Sequence, residues 1–493
     1  MADLTAFELK IAAGNNRSDL YSISRQEYRS LLPFFIFYTL ITLLVSHHPF
    51  FWDKDIIFSR IADWLMKNKF SVVLPDALDV GYPPLLGYLL AFAWKITGKS
   101  LLVMHVFMLP FSIGIVIQLY RFLRFYMTRQ TIIPVMILVL ADTSLLTQSI
   151  VFSTDLVMIF FLLLALNSIL YKKRILLSVA VFGLLFSHMR GAMGMAMIGL
   201  FDLYKNKGWQ KPLQKLSILY AYMPGTALFI AYCVFHYAVK GWIGYHENSP
   251  WIGCFETVDG KGFLRNILIV AWRLADFGKL FLFPVLFYLV FRFLKNKGAV
   301  DQTLGDLFVL LALSVLAFVP SALIYKVLSS HRYFIPITMI VTIITGYLLF
   351  SCILQKNLRR VLYGIMLAGL VSGNFWIYPD TIAKGWDATL AHIPYYGLRE
   401  KMVSYIDDRK ISFSDIGTEV PNAYQLKYYD LSGDERYIPI KDFQRNTYIF
   451  YSNIYNTFSD DEIKQLKTRW LIEKEFRCFG VRVTLYKNPK FSQ

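Results

Sequence analysis

Long apolar runs recur along this chain at roughly 31–46, 101–123, 131–146, 151–170, 175–189, 191–204, 216–239, 266–293, 305–328, 333–354 and 359–378, each closed by a short polar or charged stretch. Runs of this continuity predict about eleven membrane-spanning helices rather than the apolar faces of soluble ones. Several are shorter than the usual span, and 175–204 reads either as two short helices around His188-Met189-Arg190-Gly191 or as one long helix with a polar interruption. The 47–100 segment breaks the pattern, being long for a loop yet half apolar. In it Ile56, Ile57, Ile61, Trp64 and Leu65 form a stripe opposite Arg60, Asp63 and Lys67, which predicts a helix lying in the interface plane. Pro83-Pro84 then interrupts the chain, and an apolar helix resumes from Leu85 to Trp94 before Gly98.

From about Asp380 the pattern becomes that of a soluble domain. Phe413–Val420, Tyr448–Tyr451 and Phe479–Tyr486 read as short strands, and Ser459-Asp460-Asp461-Glu462 opens a helix with a capping box. The expected organisation is an N-terminal segment at 1–30, a polytopic α-helical domain at 31–379 with 47–100 as its first outer loop, and a small α/β domain at 380–493.

Charge supplies the orientation. With the N-terminus inside, the inner connections carry Arg121, Arg124 and Arg129; Lys172, Lys173 and Arg174; Lys205, Lys207, Lys211 and Lys215; Arg292, Lys295 and Lys297; and Lys356, Arg359 and Arg360. The outer set is poor in base, since 142–154 has no Lys or Arg and 329–332 has only Arg332. The alternation requires 175–204 to cross twice and puts the C-terminus outside. The net charge of +17 is therefore mainly a topology signal and implies no nucleic-acid partner.

Composition agrees. A hydrophobic share of 56%, with 41 Phe and 31 Tyr in 493 residues, and a mean hydropathy of +0.45 exceed what the interior of a soluble chain of this length can hide. Cys233, Cys254, Cys352 and Cys478 are scattered without metal-binding spacing, which argues against a disulfide framework or a zinc site. The polar stretch to Ser30 lacks a cleavable leader pattern, so the first helix is expected to persist as an anchor. No Gly-rich phosphate loop or nucleotide fingerprint is present, which turns attention away from sugar nucleotides and ATP.

Candidate chemistry gathers at the outer helix ends. Phe51-Trp52-Asp53-Lys54-Asp55 follows the first span, and acids at the edge of a bilayer core are costly unless solvated, paired or reactive. The interfacial helix with its Phe58-x3-Ala62 spacing leads to Gly81-Tyr82-Pro83-Pro84-Leu85. Thr154-Asp155-Leu156 heads a later span, and His331-Arg332-Tyr333-Phe334-Ile335-Pro336 stands at the outer end of another. In this order and on one side, these motifs resemble the GT-C superfamily of integral-membrane glycosyltransferases, especially the protein O-mannosyltransferases and the lipid A aminoarabinose transferases, over most of residues 30–380. The resemblance implies transfer of a sugar from a polyprenyl-phosphate carrier to an acceptor hydroxyl on a lipid, glycan or protein. It implies a multi-pass enzyme of the bacterial inner membrane, a hexosyl- or pentosyltransferase, whose site faces the exterior and whose only other partners are membrane lipids.

The family pattern of two adjacent acids in the first loop falls on Lys54 and Asp55, with Asp53 one position early, so the choice of base between Asp53 and Asp55 is open. Asp155 matches the second acidic position, and Arg332 and Tyr333 match the late Arg-Tyr-x-x-Pro element. Where relatives carry Lys, His or a metal-binding Glu, this chain has Gly81 and Tyr82. No cofactor is assigned, although a divalent metal with Asp79 near it is compatible with the resemblance.

Such a transfer needs a carboxylate to accept the hydroxyl proton and fixed cationic donors for the departing phosphate, for which guanidinium is better matched than ammonium. Asp53 or Asp55 suits the first role. Arg332 leads for the second, followed by Arg190, with Arg273, Lys279, Tyr82 and Tyr333 as further substrate contacts. Each has an ordinary structural alternative: helix caps for Asp53, Asp55 and Asp155, a snorkelling side chain for Arg332, and an i,i+3 ion pair for Arg273 and Asp276. Tyr245 and Trp251 of the loop at 242–262 could stack on a sugar or anchor at the interface. His47-His48 reads as an interfacial pair whose rings point apart. The rival from another class is a transporter or lipid flippase, which would place charges near mid-membrane in broken helices. A third reading is a catalytically inactive scaffold with a partner-binding outer domain.

Overall fold

The computed structural model describes residues 21–206, 218–247, 252–296, 300–382 and 385–491, without the side chains of residues 53–55. The N-terminal segment through residue 20, Lys207, Lys211, Lys215, Trp251 and Lys297 lie outside the described residues.

The apolar runs form helices, with breaks in 131–146, 175–204 and 266–293. The order is α1 (Arg25–Leu44), α2 (Asp53–Lys67), α3 (Leu85–Thr97), α4 (Leu101–Tyr126), α5 (Arg129–Leu140), α6 (Thr143–Gln148), α7 (Thr154–Leu170), α8 (Arg174–Ser187) and α9 (Gly191–Lys205). Then come α10 (Met223–Lys240), α11 (Gly260–Ala275), α12 (Leu282–Lys295), α13 (Gln302–Ile324), α14 (Ile335–Ser351) and α15 (Lys356–Ser372). The 175–204 run is two helices, interrupted where the sequence places His188-Met189-Arg190. The 131–146 run divides at Asp142, whose carboxylate accepts from the amides of Ser144 and Leu145 and so starts α6.

The 266–293 run is not one straight span. Phe277 at φ +50° and Gly278 at φ +82° take the left-handed conformation, and the helices on either side meet at 86°. A Cβ on Gly278 would lie 1.8 Å from the carbonyl oxygen of Gly369, so only glycine fits this corner. Among the described residues four helices are long and apolar enough to cross a membrane, and the bent pair would make a fifth. α5, α7 and α8 are shorter, so helix length alone supports fewer crossings than the eleven expected.

α7 and α14 form the centre, with nearly every side chain buried. Asn167 of α7 donates to the carbonyl (2.7 Å) and side-chain oxygen (2.9 Å) of Gln118 on α4, pairing buried polar atoms across the two helices. α2 also departs from expectation. Ile56, Ile57, Phe58, Ile61, Ala62 and Leu65 are all buried, so the helix is enclosed by protein instead of resting one face on lipid. α3 crosses it closely enough that a Cβ on Gly87 would come within 2.5 Å of Ile61 Cγ2.

The C-terminal part is a four-stranded sheet in the order β1 (Ile416–Gly417), β2 (Tyr448–Ser452), β4 (Val481–Lys487), β3 (Leu471–Cys478), with only β1 and β2 parallel. α16 (Pro394–Asp408) packs on β3 and β4. The capping box at Ser459 and Glu462 starts α18 (Asp460–Arg469), after a single turn, α17 (Leu426–Tyr429). β3 lies where no strand is expected. Its Leu471 and Ile472 are exposed, so its burial does not follow the alternation that marks a strand. Conversely Phe413–Asp415 is a 3-10 turn, not strand.

This unit sits on the first loop. His48 stacks on Tyr396 with centroids 4.4 Å apart, Phe51 stacks on His392 at 4.1 Å, and the Phe50 amide donates to the Tyr429 carbonyl at 3.0 Å. Arg60 lies over the rings of Tyr424 and Tyr428. Burial lowers the His392 pKa to about 4, so its ring is neutral at ordinary pH and free to stack. The rings of His47 and His48 touch edge to face at 4.5 Å instead of pointing apart.

Candidate functional site

Four sequence-distant helix ends bring ionisable side chains together. Ser153 caps α7, its hydroxyl accepting from the Leu156 amide at 3.2 Å, and this fixes Asp155 in the first turn. Asp155 is fully buried. One of its oxygens lies 2.5 Å from Arg190 Nη2 and the other 3.0 Å from Arg332 Nε. Arg190 comes from the break between α8 and α9, and Arg332 from the 3-10 turn His331–Phe334 that leads into α14. A buried charge persists only when paired, and here one carboxylate is shared by two guanidiniums.

Tyrosines close the flanks. The Arg190 guanidinium lies 3.5 Å from the centroid of the Tyr333 ring, and Arg332 lies 5.1 Å from it. Tyr82, on the loop before α3, stacks with His188 at 6.0 Å. Burial, reinforced by the nearby Asp155 charge, raises the Tyr82 pKa, so the phenol stays protonated and able to donate. Arg190 Nη1 is buried without a hydrogen-bond partner among the described residues, leaving an N–H aimed at no protein acceptor.

A second group adjoins the first through His331, the neighbour of Arg332. Its Nε2 lies 2.7 Å from Asp276 Oδ2 and 3.4 Å from Arg273 Nη1. The other Asp276 oxygen accepts from the Tyr378 hydroxyl and, at 2.7 Å, from the Phe277 amide. Asp276 and Arg273 thus both contact His331, and the Asp276 charge still acts on Arg273, so the expected i,i+3 pair is joined by a third member. Lys279, almost fully buried, reaches Ser144 Oγ at 3.2 Å and Asp142 Oδ2 at 3.6 Å.

The structure thus brings Asp155, Arg190, Arg332, Tyr82 and Tyr333 into one cluster, with Arg273 and Lys279 in the adjoining one. The backbones of Asp53 and Asp55 form the first turn of α2, but their side chains lie outside the described residues. α2 does reach the α7 entrance, since Phe58 packs on Phe152 with centroids 5.6 Å apart. Tyr245 stacks face to face on Phe255 at 4.5 Å, so its ring is engaged within the protein.

Asp79 is not set up as a metal ligand. Its carboxylate accepts from His236 Nε2 at 2.9 Å and from the Gly81 amide at 3.0 Å. Among the described residues no three His, Cys, Asp or Glu side chains converge so as to hold a metal ion. The described residues do not fit a bound divalent ion, and no chemistry is assigned to one.

One member of the cluster escaped the sequence reading. Asp387 lies in a 3-10 turn, Trp386–Ala388, of the segment assigned by composition to the soluble domain. Its carboxylate forms a short ion pair with Arg332 Nη1. The available signal was a lone acid between Trp386 and Ala388 just past the last apolar run, and that pattern has no motif.

Asp155→Ala would leave Arg190 and Arg332 without their common counter-charge. Removing one partner of a buried pair costs about 3–5 kcal/mol, which should appear as a marked fall in the unfolding temperature of the detergent-purified protein. An unchanged transition would show that solvent already screens the pair.

The fold is similar to that of ArnT from Cupriavidus metallidurans. The crystal structure of ArnT bound to undecaprenyl phosphate matches with a TM-score of 0.53 at 11% identity, over 92% of this chain and 98% of that one. The apo structure of the same protein matches with a TM-score of 0.52 at 12% identity, over 93% and 98%. No protein-family model and no curated protein matches the sequence.

Proposed function

We propose that this chain is a polyprenyl-phosphate-dependent glycosyltransferase of the membrane, carrying a sugar from its lipid phosphate to an acceptor hydroxyl. The observation that carries the reading is the buried Arg190–Asp155–Arg332 arrangement at the helix ends, on a fold similar to one whose crystal structure holds undecaprenyl phosphate. Two guanidiniums held in register can bind phosphate oxygens and stabilise the charge that develops as the sugar departs. Tyr82 and Tyr333 are assigned to orient the headgroup, and Arg273 and Lys279 to supply further positive potential beside it.

In the reaction, the bond between the anomeric carbon and the phosphate oxygen breaks while a bond to the acceptor oxygen forms. The acceptor proton passes to Asp53 or Asp55, and polyprenyl phosphate leaves as the anion. Attack opposite the departing phosphate inverts the anomeric centre. With the N-terminus inside, the site and the C-terminal domain face the exterior, which in a bacterium is the periplasmic side of the inner membrane.

A flippase is the second reading, favoured by the corner between α11 and α12, because broken helices with buried charges often line transport paths. The charges here gather at one set of helix ends, which supports transfer instead. The deciding experiment compares lipid-linked sugars and envelope glycans, by chromatography and mass spectrometry, with and without the gene. Transfer predicts an accumulated sugar-phosphate lipid and a missing glycan modification. Flipping predicts a donor trapped on the inner leaflet, inaccessible to an external label. Unchanged lipid-linked sugars and glycans would count against both.

A further inference from the structure

We infer that Asp387 is a positioning residue of the site, through which the C-terminal segment fixes the Arg332 guanidinium onto Asp155; this rests on the transferase reading above. Asp387 grips the cluster twice. Its carboxylate pairs with Arg332 Nη1, while Arg332 Nε pairs with Asp155 at 3.0 Å. Its backbone carbonyl accepts from Gln148 Nε2 at 2.6 Å. Gln148 Oε1 accepts in turn from the Ser153 hydroxyl, which caps the helix carrying Asp155. The contacts close a ring from Asp155 through Arg332, Asp387, Gln148 and Ser153 back to the first turn of α7.

A flexible arginine held from two directions by carboxylates on different segments keeps one plane, and bidentate recognition of phosphate depends on that plane. The ring also explains why the segment approaches so closely. A Cβ on Gly385 would lie 2.3 Å from His331 Nδ1, so glycine is what lets Asp387 reach the neighbour of His331. Asp387 is mostly buried, and Ser330 Oγ lies 3.5 Å from its carboxylate. It acts through Arg332 and need not touch the substrate.

The test uses the full chain in nanodiscs, with undecaprenyl phosphate for binding and an undecaprenyl-phosphoryl sugar for turnover. Asp387→Asn should lower kcat roughly tenfold or more with a smaller change in KM, because the loss falls on transition-state stabilisation. Asp387→Glu should recover part of the rate. Asp387→Asn added to Arg332→Ala should cost nothing further, since residues acting through one contact are not additive. Gly385→Ala, which leaves every charge in place but displaces the segment, should reproduce the kcat loss even if Asp387→Asn folds poorly. A wild-type rate in Asp387→Asn or in Gly385→Ala, or independent losses in the double variant, would overturn the inference alone. A wild type that neither binds undecaprenyl phosphate nor turns over its sugar conjugate would overturn the transferase reading and this inference with it.

Discussion

Arg332→Lys will retain the positive charge yet cut sugar transfer roughly a hundredfold, a loss typical of removing a pre-organised donor from a developing anion. The reason is geometric. Arg332 uses Nε for Asp155 and Nη1 for Asp387, two carboxylates on different segments, while Nη2 lies 3.4 Å from the Tyr333 hydroxyl. A lysine ammonium is a single point on a flexible stem and lacks the rigid planar fork that aims Nε and Nη1 at two acids in one plane. Arg332→Ala should also weaken binding of undecaprenyl phosphate to the purified protein, and so should Arg190→Ala, because Arg190 Nη1 is a buried donor with no hydrogen-bond partner among the described residues. An arginine that merely snorkels would tolerate lysine. Unchanged affinity and unchanged transfer in Arg332→Ala would remove the phosphate clamp and leave the flippase as the better reading.

The first-loop acids should show an effect of similar size. If Asp53 or Asp55 takes the acceptor proton, replacing that residue by Asn will lower turnover roughly a hundredfold or more while leaving insertion and undecaprenyl phosphate binding intact, as expected for loss of a general base. Single and double variants separate the possibilities. Loss in one single variant identifies the base and settles the register offset created by Lys54. Near-wild-type rates in both singles and in the double would leave these acids the structural role of negative charges in the first turn of α2. The two experiments report on different steps, because the arginines act on the leaving phosphate and the acids on the incoming hydroxyl.

Much of the candidate site was legible before any fold was known. Asp155, Arg190, Arg332, Tyr82 and Tyr333 could be singled out because a charged or ring side chain at the edge of an apolar run stands out against its surroundings. All five converge. The apolar runs themselves were equally plain, since continuous hydrophobicity is a local property of the chain. β3 was missed because a strand exposed at its first two residues and half-buried over the next four carries no period to read.

What the tertiary structure alone decided is which partner each charge has. Sequence spacing suggested that Arg273 would pair with Asp276 on one helix face, but only the fold adds His331, fifty-five positions on, as the hydrogen-bond partner of Asp276. Composition assigned Asp387 to a separate domain, yet it closes a ring with Arg332 from more than fifty positions away. Asp79, a candidate beside a metal, is committed to His236 on α10. Hydrophobic periodicity is written locally, so the sequence determined which stretches form helix and which charged residues stand at their ends. Pairing inside a low-dielectric cluster depends on which helix ends the packing brings within a few ångströms, and that is a property of the assembled fold.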